Sequence, residues 1–155
     1  IITLVHGQKC KVDNKDYDIL KNYRWYKSQP RGYATASISG KCVYMHRFIL
    51  KTPIGFITDH INHNVLDNQR KNIRICTHQQ NHWNRNKLQG TSSSYKGVHR
   101  LTKPWIAKIT YQGKTIRLGC YTTEKEAALA YDKEAKRLFG KMACLNFKEH
   151  PEELK

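Results

Sequence analysis

The chain has 155 residues, enough for one ordinary domain or two small ones. It carries 28 Lys and Arg against 12 Asp and Glu, a formal net charge of +16, which favours a polyanionic partner because neutralised phosphates release counterions. No apolar run approaches the roughly 20 residues of a membrane span, so we expect no membrane protein. The five scattered cysteines form no CxxC pair, so we expect neither a disulfide framework nor a zinc-thiolate site. In a reducing intracellular compartment, all five cysteines are expected to be small core residues.

The first 50 residues predict a β-rich module that contains one short helix. Residues 3–5 form an apolar start, and residues 16–20 have a short helical pattern. Two strand patterns follow at residues 33–38 and 41–50, and Ser39-Gly40 between them predicts a hairpin turn.

The next segment, residues 51–86, is rich in Asp, Asn, His and Arg and poor in apolar residues. Residues 62–72 are expected to form a loop, and residues 73–76 a short strand. Thr77 is a good N-cap, so it predicts a helix that extends to about residue 85.

Residues 87–94 are rich in Gly, Ser and Thr and predict a linker. Strand patterns then cover residues 98–100, 105–111 and 115–118; residues 101–104 join the first pair and Gln112-Gly113 turns the second into the third. Thr123 and Glu126 predict a capping box that opens a helix ending before Gly140. One face of this helix is apolar at 3.6-residue spacing, with Ala127, Ala130, Tyr131, Ala135 and Leu138.

The sharpest local pattern is Asp59-His60, with Asn72 twelve residues after the histidine and Asn81 nine residues later. In its strand, loop, strand and helix context this set resembles the HNH nuclease motif, in the phage and intron-encoded homing branch of that family. The resemblance extends over residues 1–86, and residues 45–50 match the strand commonly found before the motif. It implies a ββα-metal core at the centre of the amino-terminal module.

The chemistry of phosphodiester hydrolysis asks for these residue types. A base must activate water, and the imidazole of His60 is suited to that role near neutral pH. A divalent cation stabilises the leaving oxygen, and Mg²⁺ or Mn²⁺ needs only one or two oxygen ligands, which Asp59 and Asn81 would supply. In the family the middle Asn, here Asn72, holds the loop and histidine in place. Many members have a third His where this chain has Asn81, so we expect Mg²⁺ or Mn²⁺ rather than zinc.

Each of these roles has an alternative. Asp59, Asn72 and Asn81 are each common as turn or cap residues, and a different register would make His78 or His82 the ligand. His46 is expected to be a buried, hydrogen-bonded residue, and His63 a loop residue within reach of phosphate. Three arginines could clamp the scissile phosphate or be ordinary surface residues: Arg47, Arg70 and Arg74.

Residues 95–147 carry the patterns LG-x-Y, E-x-A-A-x-A-Y-D and L-N-F without a gap. They resemble the DNA-binding domain of plant ethylene-responsive factors (apetala-two type). That family places a three-stranded antiparallel sheet in the major groove, with a helix packed behind the sheet.

Strand alternation predicts which face of this sheet meets DNA. Trp105, Ala107 and Ile109 are expected to face the helix, together with Ile116 and Leu118. The other face could contact base edges and phosphates or merely be solvated; the residues predicted to bind DNA are Lys96, His99, Arg100, Lys108, Thr110, Thr115 and Arg117. Plant members have several arginines in the first strand and a tryptophan before Leu-Gly, so the recognised sequence is expected to differ.

The predicted fold class is α+β: a β-rich nuclease module at residues 1–86, a linker at 87–94, a sheet-on-helix DNA-binding domain at 95–147 and a tail at 148–155. The predicted function is a metal-dependent, site-specific homing endonuclease on double-stranded DNA, without a small-molecule substrate or a membrane. We expect a monomer on DNA that nicks, unless two chains meet on the duplex, in the cytoplasm of a phage-infected bacterium. The competing functions are a non-catalytic DNA-binding regulator, an RNA-binding protein and a zinc-stabilised interaction module.

Overall fold

A computed structural model describes residues 1–87, 90–100, 102 and 104–147. These residues form several small antiparallel sheets and four α-helices, so the mixed helix and strand composition is confirmed. None of the described helices is long and apolar enough to cross a membrane. Residues 88–89 of the predicted linker, residues 101 and 103 of the predicted connection and the predicted tail at 148–155 lie outside the described residues.

The chain folds into two compact units, Ile1–Asn81 and the part from His82 onward. In the first unit the strands pair as β1-β2, β3-β4-β5 and β6-β7, all antiparallel. The elements up to the unit boundary are β1 Ile2–Thr3, β2 Lys9–Cys10, α1 Asn14–Leu20, β3 Tyr26–Lys27, β4 Ala34–Ile38, β5 Lys41–Tyr44, α2 Met45–Leu50, β6 Ile57–His60, β7 Ile73–Cys76 and the start of α3 His78–Trp83.

The core of the first unit is built around Trp25, which is almost fully buried. Its indole Nε1 donates to the carbonyl oxygen of Leu20 at 2.8 Å, so the one polar atom of the ring is satisfied. Tyr23 and Phe48 pack edge-on around the indole. Burial of these apolar side chains fixes the small sheets against α1 and α2, which alone would be too short to be stable.

The prediction of a strand through residues 41–50 is wrong in its second half. The strand ends at Tyr44, and Met45–Leu50 is the helix α2. Met45 and Ile49 are buried and Phe48 packs against the same core, which is the i, i+3, i+4 spacing of one helix face. Lys51 ends the helix in a left-handed conformation with φ of 49°.

Strand, loop, strand and helix follow one another at the predicted motif. The strands β6 and β7 pair over their whole length, so that His60 lies opposite Ile73, and residues 61–72 form the loop between them. Thr77 Oγ1 accepts from the Gln80 backbone N–H, and Gln80 Oε1 accepts from the Thr77 N–H. This reciprocal cap starts α3 where predicted, and the helix ends at Trp83, two residues before the predicted end.

The second unit has the predicted three-stranded sheet packed on one helix. Its further elements are β8 Val98–Arg100, β9 Trp105–Tyr111, β10 Lys114–Tyr121, α4 Glu124–Phe139 and a 3₁₀ turn at Gly140–Met142. The antiparallel order is β8-β9-β10, and Gln112 and Gly113 both have positive φ in the predicted turn. Strand β10 is longer than predicted because a bulge at Leu118 lets pairing resume at Gly119.

Helix α4 begins with the predicted capping box of Thr123 and Glu126. The side chains of Ala127, Tyr131 and Ala135 are buried against β9 as predicted. Ala130 and Leu138 are half-buried and pack against the same core. The other buried apolar residues of the helix are Ala128 and Phe139. Ile116, predicted in the core, is 39% exposed.

The predicted burial of the cysteines is confirmed for three of the five. Cys10, Cys76 and Cys144 are buried. The other two, Cys42 and Cys120, are exposed on strands β5 and β10, because alternate residues of a strand with one covered face point to solvent. All five are free thiols.

Candidate active site and nucleic-acid surface

The predicted catalytic histidine is the last residue of β6 and is only 5% exposed. Its Nε2 lies 3.2 Å from Asn68 Oδ1, in the loop that follows the strand. Aromatic rings cover the imidazole: Tyr33 stacks on it at a centroid distance of 5.9 Å, and His46 meets it edge-on at 5.1 Å. His60 is therefore held on several sides rather than mobile on a surface.

Burial lowers the pKa of His60 below its ordinary value, because the charged imidazolium loses its hydration. The hydrogen bond with Asn68 and the carboxylates of Asp59 and Asp67 act in the opposite direction and are weaker. The neutral ring is thus the dominant form at neutral pH. A neutral imidazole can accept a proton from water, as a general base must.

The histidine that the sequence placed in a buried, structural role adjoins this one. Burial, helped by His60 and by the positive charge of Arg47, lowers the pKa of His46 to about 3. The ring stacks on Tyr44 at 5.6 Å and also contacts Tyr33. His46 is buried as predicted, and its place beside His60 makes it part of the site.

Asp59 precedes His60 and pairs with Arg74 on the neighbouring strand. The Nε and Nη2 atoms of Arg74 lie 2.9 and 2.8 Å from Asp59 Oδ2. Both side chains are largely buried, so this ion pair is better shielded from water than a surface pair. The sequence allowed two roles for Arg74, a clamp on phosphate or an ordinary surface residue. In this structure its guanidinium holds the Asp59 carboxylate, and its contact with phosphate stays a prediction.

Asn72 closes the loop between the two strands. Its side-chain Oδ1 accepts from the Asn62 backbone N–H at 3.0 Å, and its Nδ2 donates to the Asp67 carbonyl at 2.7 Å. A third hydrogen bond joins the backbones, because the Ile61 N–H donates to the Asn72 carbonyl oxygen. These bonds hold the loop that carries Asn68 beneath His60.

The predicted second ligand, Asn81, is half-buried on α3, and its backbone N–H donates to Thr77. Within the described residues no three His, Cys, Asp or Glu side chains are grouped as a metal site. The donors at hand, a carboxylate at Asp59 and an amide oxygen at Asn81, are hard oxygen ligands that suit Mg²⁺, which keeps several waters. The alternative ligands His78 and His82 are exposed, and the pairing of Asp59 with Asn81 stays a prediction.

The other two arginines predicted at phosphate have contacts of their own. Arg47 donates to the carbonyls of Thr52, Pro53 and Phe56 and so fixes the segment before β6. Arg70 makes a two-pronged ion pair with Asp16 on α1. Both guanidiniums have a structural role here, and their contact with phosphate stays a prediction.

In the second unit, strand register aligns most of the predicted DNA-binding residues on one face of the sheet. Lys108 lies opposite Arg117, and Thr110 opposite Thr115, whose hydroxyl oxygens are 3.2 Å apart. His99 lies opposite Ile106 on the same side. Directly opposed residues of antiparallel strands point to the same side of the sheet. We call this surface the outer sheet face; it is formed by His99, Ile106, Lys108, Thr110, Thr115, Arg117 and Cys120.

Two predicted DNA contacts lie apart from the outer sheet face. Lys96 precedes β8, and its Nζ donates to the carbonyls of Trp83 and Arg85 at 2.8 and 2.7 Å. Burial lowers the pKa of this amine. Arg100 donates to the Thr102 carbonyl and lies 5.0 Å from the Trp105 ring centroid. Lys96 thus satisfies carbonyls at the end of α3.

Sequence reasoning missed three neighbours of His60. Tyr33 stands among ordinary strand residues, and Asn68 is one of several asparagines in a polar loop, so neither carried a signal of its own. Cys10 lies fifty residues before His60 and is linked to it through Asn68. The one available signal was the Asp67-Asn68 pair inside the predicted motif loop.

Neither a protein-family model nor a solved structure matches the sequence. It is 35% identical over 147 residues to an uncharacterized HNH endonuclease, L560, of Acanthamoeba polyphaga mimivirus; the match covers 90% of this chain and 75% of the viral protein. Two plant proteins match a shorter stretch: the Dehydration-responsive element-binding proteins 2E of Oryza sativa subsp. japonica and 2D of Arabidopsis thaliana are each 44% identical over 61 residues. That stretch is 37% of this chain, and 19% and 30% of the two plant proteins.

The viral relative is similar across both units, at a level and over a length that establish common descent. Its description agrees with the motif of Asp59, His60, Asn72 and Asn81, and with the strand, loop, strand and helix that carry it. The chain belongs to the HNH endonuclease family.

Proposed function

We propose that the protein is a metal-dependent, site-specific endonuclease of the homing type, which hydrolyses phosphodiester bonds in double-stranded DNA. The observation that carries this proposal is a buried, neutral imidazole, His60, directly beside a carboxylate, Asp59, that Arg74 holds in place. This arrangement supplies a proton acceptor and an anionic ligand at the end of one strand.

His60 would take the proton of the attacking water, because its ring is neutral and fixed by Tyr33, His46 and Asn68. Asp59 and Asn81 would hold a Mg²⁺ or Mn²⁺ ion, which supplies charge stabilisation for the leaving oxygen when bound. Asn72 would keep the loop closed under the base.

Binding to DNA is proposed for the outer sheet face. The similarity to plant element-binding proteins and the net charge of +16 both support a nucleic-acid partner. Lys108 and Arg117 face the same side and can reach phosphates or guanine edges. A nuclease unit joined to a separate DNA-recognition surface fits site-specific cleavage better than non-specific hydrolysis of DNA.

The test is cleavage of supercoiled plasmid DNA, with Mg²⁺ or Mn²⁺ and then with excess chelator. We expect nicked or linear product only with metal, and none from His60→Ala, which should still bind the plasmid. His6→Ala is the matched control, because His6 is an exposed histidine of the same unit.

Cleavage retained by His60→Ala would remove this residue from the mechanism. Sequence-specific binding without cleavage under either metal would instead make the protein a non-catalytic DNA-binding regulator. Product formation in the presence of chelator would contradict the metal requirement.

A further inference from the structure

A row of four side chains runs from the catalytic histidine into the core of the first unit. His60 Nε2 lies 3.2 Å from Asn68 Oδ1, and Asn68 Nδ2 lies 2.9 Å from Cys10 Sγ. Cys10 Sγ in turn lies 3.4 Å from Met45 Sδ. Asn68 and Cys10 are 0% exposed, so no water competes for these contacts.

The acceptors around the Cys10 thiol determine the direction of the hydrogen bonds in this row. Cys10 Sγ lies 3.4 Å from Met45 Sδ and 3.9 Å from the Lys11 carbonyl oxygen. Both of these atoms can only accept, so the single proton of the Cys10 thiol lies toward one of them. The Cys10 sulfur is then an acceptor for Asn68, which turns the amide NH₂ toward Cys10 and the amide oxygen toward His60. An amide oxygen can only accept, so the His60 nitrogen facing it must carry a proton.

The backbone holds Asn68 in this position as well. Its N–H donates to the Lys11 carbonyl at 2.8 Å, and the Lys11 N–H donates to the Leu66 carbonyl at 2.8 Å. The loop is thereby fastened to the residue that follows Cys10. The amide therefore cannot leave His60 without breaking contacts on both sides.

We propose that Asn68 is a positioning residue that fixes His60 in the tautomer protonated at Nε2, which leaves Nδ1 as the atom that takes the proton from water. The catalytic half of this inference rests on the proposed function, whereas the tautomer itself does not. A neutral histidine presents one acceptor nitrogen, so choosing the tautomer chooses the nitrogen that can act as the base.

The direct test is ¹⁵N NMR of the histidine rings in the full-length protein, at neutral pH and without DNA or metal. The His60 signals are identified by their loss in His60→Gln. We expect the Nε2 resonance in the range of a protonated ring nitrogen and the Nδ1 resonance in the range of an unprotonated one.

Two substitutions separate the amide's role from its packing. Asn68→Ala removes the acceptor, so the Nε2-protonated fraction should fall, and kcat should fall about 10- to 100-fold as for other supporting residues of a catalytic group. KM for DNA should change little, because Asn68 is buried. Asn68→Asp keeps an acceptor oxygen and should restore the tautomer.

A control for lost stability comes from the second unit, where Asn146 donates its side-chain NH₂ to Asp132 and to the Lys96 carbonyl. Asn146→Ala should leave the His60 resonances unchanged. A wild-type ring protonated at Nδ1, or an Nε2-protonated ring that persists in Asn68→Ala, would overturn the inference. If the protein shows the expected tautomer but cleaves no DNA with any metal, the proposed function and the catalytic role of Nδ1 are overturned, while the tautomer assignment stands.

Discussion

Two imidazoles, His46 and His60, adjoin each other in the first unit. Their ring centroids are 5.1 Å apart, and both are buried among tyrosine rings. Two imidazolium charges at this separation would repel each other as well as lose their hydration. The pair is therefore stable only while both rings are neutral, which is the state in which His60 can serve as a base.

Acid should destabilise the fold through His46. The folded-state pKa is about 3 and the ordinary value is 6.5, so between these values the unfolded chain binds a proton that the folded chain does not. The contribution of His46 to the free energy of unfolding is fully present above pH 6.5 and should decrease by up to about 1.4 kcal/mol per pH unit as the pH falls toward 4. Urea unfolding across this range measures the slope.

The variant for this prediction is His46→Phe, which keeps an aromatic ring but cannot titrate. Its slope should be smaller than that of the wild type, although not zero, because burial also lowers the pKa of His60. The exposed His6, replaced by Phe, should leave the slope as it is. An unchanged slope in His46→Phe would show that this residue is not held neutral by the fold.

The positions of the motif residues on a strand and its following loop were predictable, because spacing along the chain is visible in a sequence. Asp59 and His60 lie on β6 with Asn72 at the end of the loop, in the predicted order. The hydrogen-bonded row from His60 through Asn68 to Cys10 was not predictable, because Asn68 and Cys10 are 58 positions apart and only the packing brings them together. The ion pair of Arg74 with Asp59 was also missed, since it depends on the register of β6 and β7.

At the scale of elements, the sequence predicted the second unit more fully than the first. Strand β9, the turn at Gln112-Gly113 and helix α4 are long or strongly marked, so local pattern decides them. Helix α2 has only six residues, and its apolar positions fit a strand and a helix almost equally well. Packing of Met45 and Ile49 into the core decides in favour of the helix.

The entry into β8 depends on a glycine. Gly97 has φ of +76°, and a Cβ there would overlap the Tyr131 ring and lie 2.8 Å from the Lys108 carbonyl oxygen. The left-handed conformation costs an alanine about 1–2 kcal/mol, and overpacking adds about 1–3 kcal/mol. Gly97→Ala should therefore lower the free energy of unfolding by the sum of both, as measured by urea unfolding of the second unit's tryptophan signal.

Gly113→Ala is the matched control for that substitution. Gly113 also has φ of +76°, but nothing lies within 4 Å of the position that its Cβ would take. Gly113→Ala should therefore lose the free energy of the left-handed backbone conformation without any steric overlap. Gly97→Ala should be the more destabilising of the two by about 1–3 kcal/mol. Equal effects would mean that Tyr131 moves aside freely and that the close approach of β8 to α4 is not required.

At the scale of the whole molecule, the changes of pattern along the chain did not show where the second unit begins. The pattern placed the linker at residues 87–94, whereas Trp83 already belongs to the second unit of the fold. Trp83 stacks on Phe139 at a centroid distance of 4.7 Å. A single tryptophan at the end of a short helix has no periodicity that shows which core it joins, so only the packing reveals it.

If the outer sheet face binds DNA, substitutions on it should change the affinity for DNA without changing the rate of cleavage. Arg117→Ala and Lys108→Ala should weaken binding to the target and reduce the salt dependence of affinity by about one ion for each phosphate that is no longer neutralised. Where the side chain reads a base edge, the substitution should also reduce discrimination against the wrong base by about 1–3 kcal/mol. Because neither residue belongs to the unit of His60, kcat at saturating DNA should be unchanged.

Lys114→Ala separates position from charge in this experiment. Lys114 is exposed on β10 and its substitution removes the same charge, but it lies opposite Tyr111 and points to the other side of the sheet from Thr115. Titration of labelled target and unrelated duplexes over a range of salt concentrations compares the three variants. If Arg117→Ala weakens target binding no more than Lys114→Ala, net charge alone would account for the affinity, and the sheet would present no reading surface.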